Sequence, residues 1–186
     1  MKVLLLDSFD SFTYNLFHYL EGLDCEVKVA RNNEITLAEI EEFDKIVLSP
    51  GPGLPQDSGI LMDLLNEFST KKTILGVCLG MQAIALHFGG TLSNLSEVKH
   101  GICEIALQKE ESVLFKNISQ KFEVGLYHSW AVDALLPSEL KVTAISENNV
   151  LMALEHITLP IYAVQFHPES ILTPEGKKII QNFIEL

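Results

Sequence analysis

The chain has little positive charge and no long hydrophobic run. Its 13 Lys and Arg residues stand against 25 Asp and Glu residues, which gives a formal net charge of −12 at pH 7. A protein that binds nucleic acid needs a basic surface to meet the phosphates, so we expect no nucleic-acid partner. No apolar run approaches the roughly 18 residues of a membrane-spanning helix, so we expect no membrane segment either.

Cysteine is also scarce. The three cysteines are odd in number and lack the Cys-x-x-Cys spacing of zinc and redox sites. They make no disulfide framework and suit a reducing cytosol. The apolar run at residues 3–6 is interrupted by Asp7, well short of the roughly 7 to 15 apolar residues of a signal peptide. We therefore expect a cytoplasmic protein.

The composition is that of a folded domain. At 186 residues, with 47% hydrophobic and only 20% charged residues, the chain fits one domain over residues 1–186 with room for a core. Strand-like apolar runs alternate with helical patterns, which indicates a parallel sheet covered by helices on both faces. The strands are predicted at residues 2–6, 25–30, 44–48, 73–77 and 161–166, and the helices at residues 11–20, 37–43 and 60–68.

The middle of the chain has a different pattern. From about residue 91 to residue 156 the helical period disappears, and four further strands are predicted. They lie at residues 102–108, 122–128, 141–146 and 150–156. We interpret them as an antiparallel extension of the same domain, followed by a last amphipathic helix that opens near Thr173. The predicted fold is α/β, with an open, mostly parallel sheet that binds ligands at the carboxyl ends of its strands.

One such strand end carries the strongest chemical signal. The segment Gly76-Val77-Cys78-Leu79-Gly80 joins the strand at residues 73–77 to a predicted amphipathic helix, as in a nucleophile elbow. The glycines are needed because a Cβ there would collide with neighbouring backbone. We expect the amino end of the following helix to direct its unpaired N–H groups at Cys78, a setting that suits a thiolate nucleophile. The alternative, a cysteine buried as a small hydrophobe, does not explain the two glycines.

A thiolate nucleophile needs a base. Among six histidines only His167 has an obvious orienting partner, because it closes the strand at residues 161–166 and is followed by Pro168 and Glu169. In extended geometry the side chains of His167 and Glu169 project to the same face. The three residues would then form a triad in the order Cys, His, Glu. The alternative is an ordinary strand exit. Other histidines fit less well: His18 and His87 fall in helical patterns and His156 in a predicted edge strand.

A stiff loop follows the strand at residues 44–48. It reads Ser49-Pro50-Gly51-Pro52-Gly53-Leu54-Pro55, in which the N–H groups of Gly51 and Gly53 can approach a ligand. Together with the N–H of Leu79, the residue after the nucleophile, this loop suits an oxyanion hole. Taken alone, a run of proline and glycine also fits a plain turn.

These segments together resemble one family. Over nearly its full length the chain resembles the class I (triad) glutamine amidotransferases, whose domain is a flavodoxin-like α/β fold. The resemblance implies that Cys78 is the nucleophile and that His167 and Glu169 complete the triad. The matching segments are Asp7-Ser8-Phe9-Asp10-Ser11-Phe12-Thr13-Tyr14-Asn15, Ser49-Pro50-Gly51-Pro52-Gly53, Gly76 to Gln82, His100-Gly101, Tyr127-His128-Ser129 and Gln165-Phe166-His167-Pro168-Glu169-Ser170.

The resemblance also implies a substrate and a partner. It is greatest to the glutaminase subunits of anthranilate synthase and of aminodeoxychorismate synthase. L-Glutamine would be held by Gly51, Pro52, Gly53, Leu79, Gln82 and the backbone of Ser129 and Trp130. Ammonia would pass through a channel to a synthase subunit (component I) that binds chorismate. This chemistry requires no metal and no organic cofactor. Whether the product is anthranilate, aminodeoxychorismate or both stays open.

Some residues depart from the family pattern. Met81 stands where these subunits commonly have histidine, and Ile102 replaces a lysine often found after His-Gly. Leu126 and Trp130 bracket Tyr-His-Ser where arginine and leucine are usual. Three other functions stay in view: a glutaminase serving a different synthase, a cysteine hydrolase such as a peptidase, and a catalytically silent scaffold.

Overall fold

Nine strands form one sheet in the computed structural model, which describes residues 1–186. The strand order is β2-β1-β3-β4-β9-β8-β7-β5-β6. The strands are β1 (Lys2–Asp7), β2 (Glu26–Arg31), β3 (Lys45–Leu48), β4 (Thr73–Val77), β5 (Leu92–Gln108), β6 (Lys121–Val132), β7 (Leu140–Ser146), β8 (Leu151–His156) and β9 (Ile161–Val164). The helices are α1 (Thr13–Glu21), α2 (Leu37–Ile40), α3 (Leu61–Phe68), α4 (Leu79–His87) and α5 (Gly176–Ile184).

The sheet is parallel on one side and antiparallel on the other. The first four strands and β9 pair in parallel, whereas β8, β7, β5 and β6 continue the sheet in antiparallel pairs. The middle of the chain is therefore an extension of the same sheet, as predicted. After this excursion the chain returns through β9 to pair beside β4, with Val77 opposite Val164. This pairing brings two distant strand ends together at one edge.

Helices cover both faces of the parallel part. Along β1 the side chains of Leu4 and Leu6 belong to one core and those of Val3 and Leu5 to the other, because successive strand residues point to opposite faces. Buried residues of α2, α3 and α4 pack in the first core, and buried residues of α1 and α5 pack in the second. The predicted arrangement with helices on both faces is confirmed. None of the helices reaches the length and apolarity that crossing a bilayer requires.

Several predicted elements differ from the structure in extent or setting. The helix predicted at residues 37–43 is the four-residue α2, and β9 ends at Val164 rather than at residue 166. β5 begins ten residues before the predicted start, because residues 93–101 are mostly polar and show no alternation, although Ser93, Asn94, Lys99 and His100 pair with β6. β8 lies between β7 and β9, so the prediction that His156 belongs to an edge strand is wrong.

The helix after Cys78 is not amphipathic. Every residue of α4 from Leu79 to Ala85 is buried, because α4 packs against α3 as well as against β4, β9 and β6. The predicted apolar stripe is thus only part of a helix that is apolar almost all round. Such a helix is a rigid internal element, and it carries Cys78 at its amino end.

The amino end of α5 rests on the segment that follows β9. A Cβ at Gly176 would lie 1.7 Å from the carbonyl oxygen of Pro168, closer than any real contact. Glycine at this position therefore allows α5 to approach the residues around His167.

We predict that Gly176→Ala lowers the free energy of unfolding by about 3 kcal/mol, because the added methyl must displace backbone in a packed region. Urea unfolding of the purified chain measures this change. The matched control is Gly22→Ala, where φ is −74° and the nearest atoms to a new Cβ are carbonyl oxygens at 3.6 Å. The control should stay within about 1 kcal/mol of the original protein. Equal stability of the two variants would contradict the packing argument.

Candidate active site

Cys78 lies in a strained turn between β4 and α4. Its φ of +52° and ψ of −100° are unusual for a residue with a side chain, and such conformations cost on the order of 1–3 kcal/mol. A Cβ at Gly76 would lie 2.5 Å from the carbonyl carbon of Gly80, and a Cβ at Gly80 would lie 2.7 Å from the carbonyl oxygen of Leu48. Both glycines are therefore required by the close approach of strand and helix.

Cys78 is held by two residues at the end of β9, Val164 and Gln165. Its N–H donates to the carbonyl of Val164 at 2.8 Å. Gln165 directs its side-chain Nε2 to the Cys78 Sγ at 3.5 Å, and its Oε1 accepts from Gln82 at 3.3 Å. Gln165 is fully buried. Its role was not predicted from the sequence, although a polar residue closing an apolar strand was the signal that could have identified it.

His167 and Glu169 form a buried pair. The imidazole Nδ1 of His167 lies 2.7 Å from Oε1 of Glu169, and the two residues are 1% and 3% exposed. The predicted contact is present, but the predicted extended backbone is wrong. Residues 167–170 form a turn in which the N–H of Ser170 donates to the carbonyl of His167 at 3.1 Å. The ladder of β9 has ended by then, and the N–H of His167 donates instead to Gly125 of β6.

The surroundings of His167 determine its protonation. Burial alone lowers the pKa of His167, but hydrogen bonding and charge from Cys78 and Glu169 together raise that pKa well above its usual value near 6.5. The second ring nitrogen, Nε2, is buried and has no hydrogen-bond partner of normal geometry. Because Nδ1 is engaged by Glu169, Nε2 is the atom available for proton exchange with Cys78 or a substrate.

Several contacts hold the imidazole in place. The hydroxyl of Thr173 donates to the carbonyl of His167 at 2.7 Å and accepts from the N–H of Gly125 at 2.9 Å. The rings of Tyr127 and Phe12 pack edge-on against the imidazole, with centroids 4.9 and 5.7 Å away. The orientation of His167 thus depends on β6, on the segment before α1 and on the segment before α5.

A second carboxylate lies beside the pair. Ligand atoms of Asp10, His167 and Glu169 lie within 4.8 Å of one another, a grouping of a kind that can hold a metal ion. However, Nδ1 of His167 and Oε1 of Glu169 already bond to each other, and a metal at these atoms would break that bond. Asp10 also accepts from the N–H of Phe12 at 2.8 Å, so it caps the turn that leads into α1.

A cavity of about 140 Å³ opens beside Cys78. Seven of the ten predicted site residues line it, whereas Leu79, His167 and Glu169 do not. The seven are Gly51, Pro52, Gly53, Cys78, Gln82, Ser129 and Trp130. Tyr127 and His128 complete the wall. Residues that are far apart in the chain thus meet around one space.

The loop after β3 is fixed against this cavity. A Cβ at Gly51 would lie 2.6 Å from the Cβ of Ser8 and 2.7 Å from Cδ2 of Leu79. The hydroxyl of Ser49 accepts from the N–H of Ser8 at 2.9 Å and donates to the carbonyl of Pro50 at 2.6 Å. The N–H of Leu79 belongs to the first turn of α4, where N–H groups have no partner inside the helix.

The Trp130 carbonyl is already fully used. It accepts from Nε2 of Gln82 at 2.9 Å and from Nδ1 of His128 at 2.8 Å, which engages both of its lone pairs. A substrate contact at Trp130 must therefore use another atom of that residue. Gln82 and His128 shape the wall through this shared carbonyl.

Two of the four departures from the family pattern lie next to each other. Ile102 and Leu126 are directly paired across β5 and β6, so an apolar pair stands where two basic residues are usual. Leu126 and Met81 are fully buried, and Trp130 is half-buried at the cavity. None of these residues contacts His167 or Glu169 by a hydrogen bond.

Known proteins resemble this chain over its whole length. The description of the class-I glutamine amidotransferase family matches residues 4–186. The aminodeoxychorismate/anthranilate synthase component 2 of Bacillus subtilis is 42% identical over 98% of this chain and 95% of its own length. The bifunctional protein TrpGD of Thermotoga maritima is 43% identical over all of this chain, which spans 32% of that longer protein. A GMP synthase subunit from Thermoplasma acidophilum has a similar structure, with a TM-score of 0.90 and 28% identity over all of this chain and 92% of its own.

We predict that Glu169→Gln lowers the pKa of His167, because it removes one of the two groups that raise it. Because the pKa of His167 is raised in the folded protein, its protonation stabilises the folded state, and this stabilisation is fully present below the usual pKa of about 6.5. It is lost as the pH rises through the higher pKa of the folded protein. In the variant that pKa is lower, so the stabilisation should be lost at a lower pH. NMR titration of ¹⁵N-labelled histidine measures the midpoint. Glu185→Gln, at an exposed glutamate, is the control. An unchanged midpoint for Glu169→Gln would show that the carboxylate does not act on the imidazole.

Proposed function

The chain belongs to the class-I glutamine amidotransferase family, and on that premise we propose that it is the glutaminase subunit of a chorismate-using synthase. In this role it hydrolyses L-glutamine to glutamate and passes the ammonia to the synthase subunit. The observation that carries the proposal is the placement of Cys78 and of the His167–Glu169 pair just past the ends of two adjacent parallel strands, where Cys78 acts on the pKa of His167, beside a cavity of about 140 Å³.

Cys78 is the nucleophile of the proposed reaction. Its thiolate attacks the carboxamide carbon of glutamine, a sulfur–carbon bond forms, and the carbonyl electron pair moves to oxygen. The N–H of Leu79 and the N–H groups near Gly51 stabilise this oxyanion, each contributing roughly 3 kcal/mol in comparable sites. The positive φ of Cys78 supports this role, because it presents the sulfur at the end of the sheet.

His167 moves the protons. As imidazolium it protonates the leaving nitrogen, the carbon–nitrogen bond breaks, and ammonia departs from a γ-glutamyl thioester. The neutral imidazole then removes a proton from water, which attacks the thioester and releases glutamate and the thiolate. Glu169 orients the ring and stabilises its charged form. The raised pKa of His167 supports the imidazolium in the first step. No step draws on a metal or an organic cofactor.

Glutamine occupies the cavity beside Cys78 in this proposal. Gly51, Pro52 and Gly53 form one wall, and Gln82, Ser129 and Trp130 form the other. The small volume favours a free amino acid over a polypeptide substrate, which argues against a peptidase. The presence of Cys78 and the contact of His167 with Glu169 argue against a silent scaffold. Because strands from both ends of the chain join one sheet, we assign residues 1–186 to one domain.

The partner is inferred from the names of the relatives. The Bacillus subtilis protein, which matches this chain over nearly its full length, is named as component 2 of both aminodeoxychorismate and anthranilate synthase. We therefore propose a synthase subunit that binds chorismate and uses the ammonia for one or both of these products. The chemistry asked of this chain is the same in each case. A cytoplasmic location stays a prediction.

We predict that Cys78→Ser abolishes glutamine-dependent product formation by the complex, because only ammonia generation uses the thiolate. Synthesis by the partner with added ammonium chloride should continue at the original rate. Product formation from each nitrogen source is measured by fluorescence or chromatography. The matched control is Cys103→Ser, at an exposed cysteine of β5, and it should retain both activities. Glutamine-dependent activity in Cys78→Ser near the original rate would overturn the assignment of the nucleophile.

We predict that His167→Ala lowers kcat for glutamate formation more than Glu169→Gln does. Removing the proton carrier leaves no group in its place, whereas the amide of glutamine still fills the position of the orienting carboxylate. Steady-state glutaminase assays of the two complexes give the comparison. A larger loss in Glu169→Gln would reverse the roles assigned to these residues.

A further inference from the structure

A second cavity lies beside β5 and β6. Its volume is about 220 Å³, and its wall includes Leu126, Val150 and Met152 together with Lys99, Glu104 and His128. His128 lines both cavities and is the only residue common to their two walls. The proposed glutaminase reaction uses none of the other lining residues.

The cavity arises from an irregularity in β5. Asn94 pairs with Trp130 and Lys99 pairs with His128, so four residues of β5, 95–98, lie opposite the single residue 129 of β6. These four residues bulge out of the ladder, and three of them line the cavity. Bulges of this kind are common beside functional sites and redirect side chains.

One of the departures from the family pattern lies at this cavity. Leu126, which stands where arginine is usual, forms part of the apolar wall, and Ile102 is its partner across the strands. An arginine at position 126 would direct a long charged side chain toward the same space, since residues 126 and 128 share one face of β6.

His128 presents a bare hydrogen-bond acceptor. Its Nδ1 lies 2.8 Å from the Trp130 carbonyl, which can only accept, so the proton is on Nδ1. Burial lowers the pKa of His128, which favours the neutral ring. Nε2 is then an unprotonated acceptor. It has no hydrogen-bond partner, and the residue that carries it is only 5% exposed. Buried polar atoms of this kind are normally satisfied by protein, water or ligand.

The cavity also offers both signs of charge. Nζ of Lys99 and Oε1 of Glu104 lie 3.1 Å apart, and their side chains are 23% and 15% exposed. A zwitterion whose carboxylate meets Lys99 and whose ammonium meets Glu104 would replace one ion pair by two. An ammonium group at this position would also donate a hydrogen bond to Nε2 of His128, which has no donor partner in the free protein. The remaining wall is apolar, which suits a hydrocarbon side chain.

We propose that this cavity binds a free α-amino acid with an apolar side chain, at a site distinct from the glutamine cavity. The carboxylate binds to Lys99, the ammonium to Glu104 and His128, and the side chain packs against Leu126, Val150 and Met152. Because His128 belongs to both cavities, occupancy of this site is transmitted to the wall of the glutamine cavity. The site needs no glutamine hydrolysis, so its test is independent of the proposed function.

The test is calorimetric titration of the purified chain with L-leucine, L-methionine and L-phenylalanine. We expect at least one of them to bind with a Kd below about 1 mM. Isoamylamine and 4-methylpentanoate, which each lack one charged group of leucine, should bind at least about tenfold more weakly. Lys99→Met and Glu104→Gln should each weaken binding to a similar degree, and Lys121→Met, at an exposed lysine of β6, should not.

Two further variants fill the cavity. Leu126→Arg introduces the residue usual in the family, and Asn148→Trp places bulk on an exposed lining residue, where misfolding is a smaller risk. Both should abolish binding, and circular dichroism checks that each remains folded. The ¹⁵N signal of His128 Nε2 should shift when ligand is added to the original protein. No binding by any of the three amino acids overturns the proposal. Binding that survives Asn148→Trp also overturns it, and competition by L-glutamine would then place that ligand in the glutamine cavity.

Discussion

The parallel pairing of β4 with β9 is the constraint on which the rest of the site depends. Cys78 follows one of these strands and His167 follows the other, although the two residues are far apart in the chain. The hydrogen bond from the N–H of Cys78 to the carbonyl of Val164 extends the ladder by one residue past β4. The position of the sulfur is thus set by strand register. A slip of one residue would turn the side chains to the opposite face and separate them.

This register is maintained by packing that only small residues permit. Gly76 and Gly80 allow α4 to approach β4 and β3, and Gly51 allows the following loop to approach Ser8 and Leu79. At the other end of the site, Gly176 brings α5 against the Pro168 carbonyl. The strain at Cys78 persists because α4 is buried along most of its length and cannot relax into solvent. The strain is local, and the two apolar cores on either side of the sheet offset it.

The sequence predicted which residues lie together better than it predicted the backbone that holds them there. The elbow at Cys78 was readable because paired glycines flank a cysteine at the end of an apolar strand. The contact of His167 with Glu169 was also predicted, but from an extended segment that is in fact a turn stabilised by Ser170. The contacts of Gln165 and His128 were not predicted, because each depends on the three-dimensional surroundings of its side chain; for Gln165 only its place at the end of an apolar strand was a signal. The early start of β5 was missed for another reason: a bulged, exposed strand shows no alternation of apolar and polar residues.

Buried polar atoms without a hydrogen-bond partner lower the free energy of unfolding, so they mark places where the fold is not optimised for stability. Six buried side-chain atoms lack a hydrogen-bond partner, and they belong to Ser8, His128, Thr143, His167, Glu169 and Asn182. Four of these six residues lie in or beside the site, whereas a protein selected for stability alone would satisfy such groups or replace them with apolar ones. An unpartnered Nε2 on His167 suits the proposed proton transfer, because no other group occupies the atom that would exchange the proton. Nε2 of His128 takes part in no proton transfer in the proposed reaction, and in the proposed amino-acid site it accepts a hydrogen bond from the ammonium of the ligand.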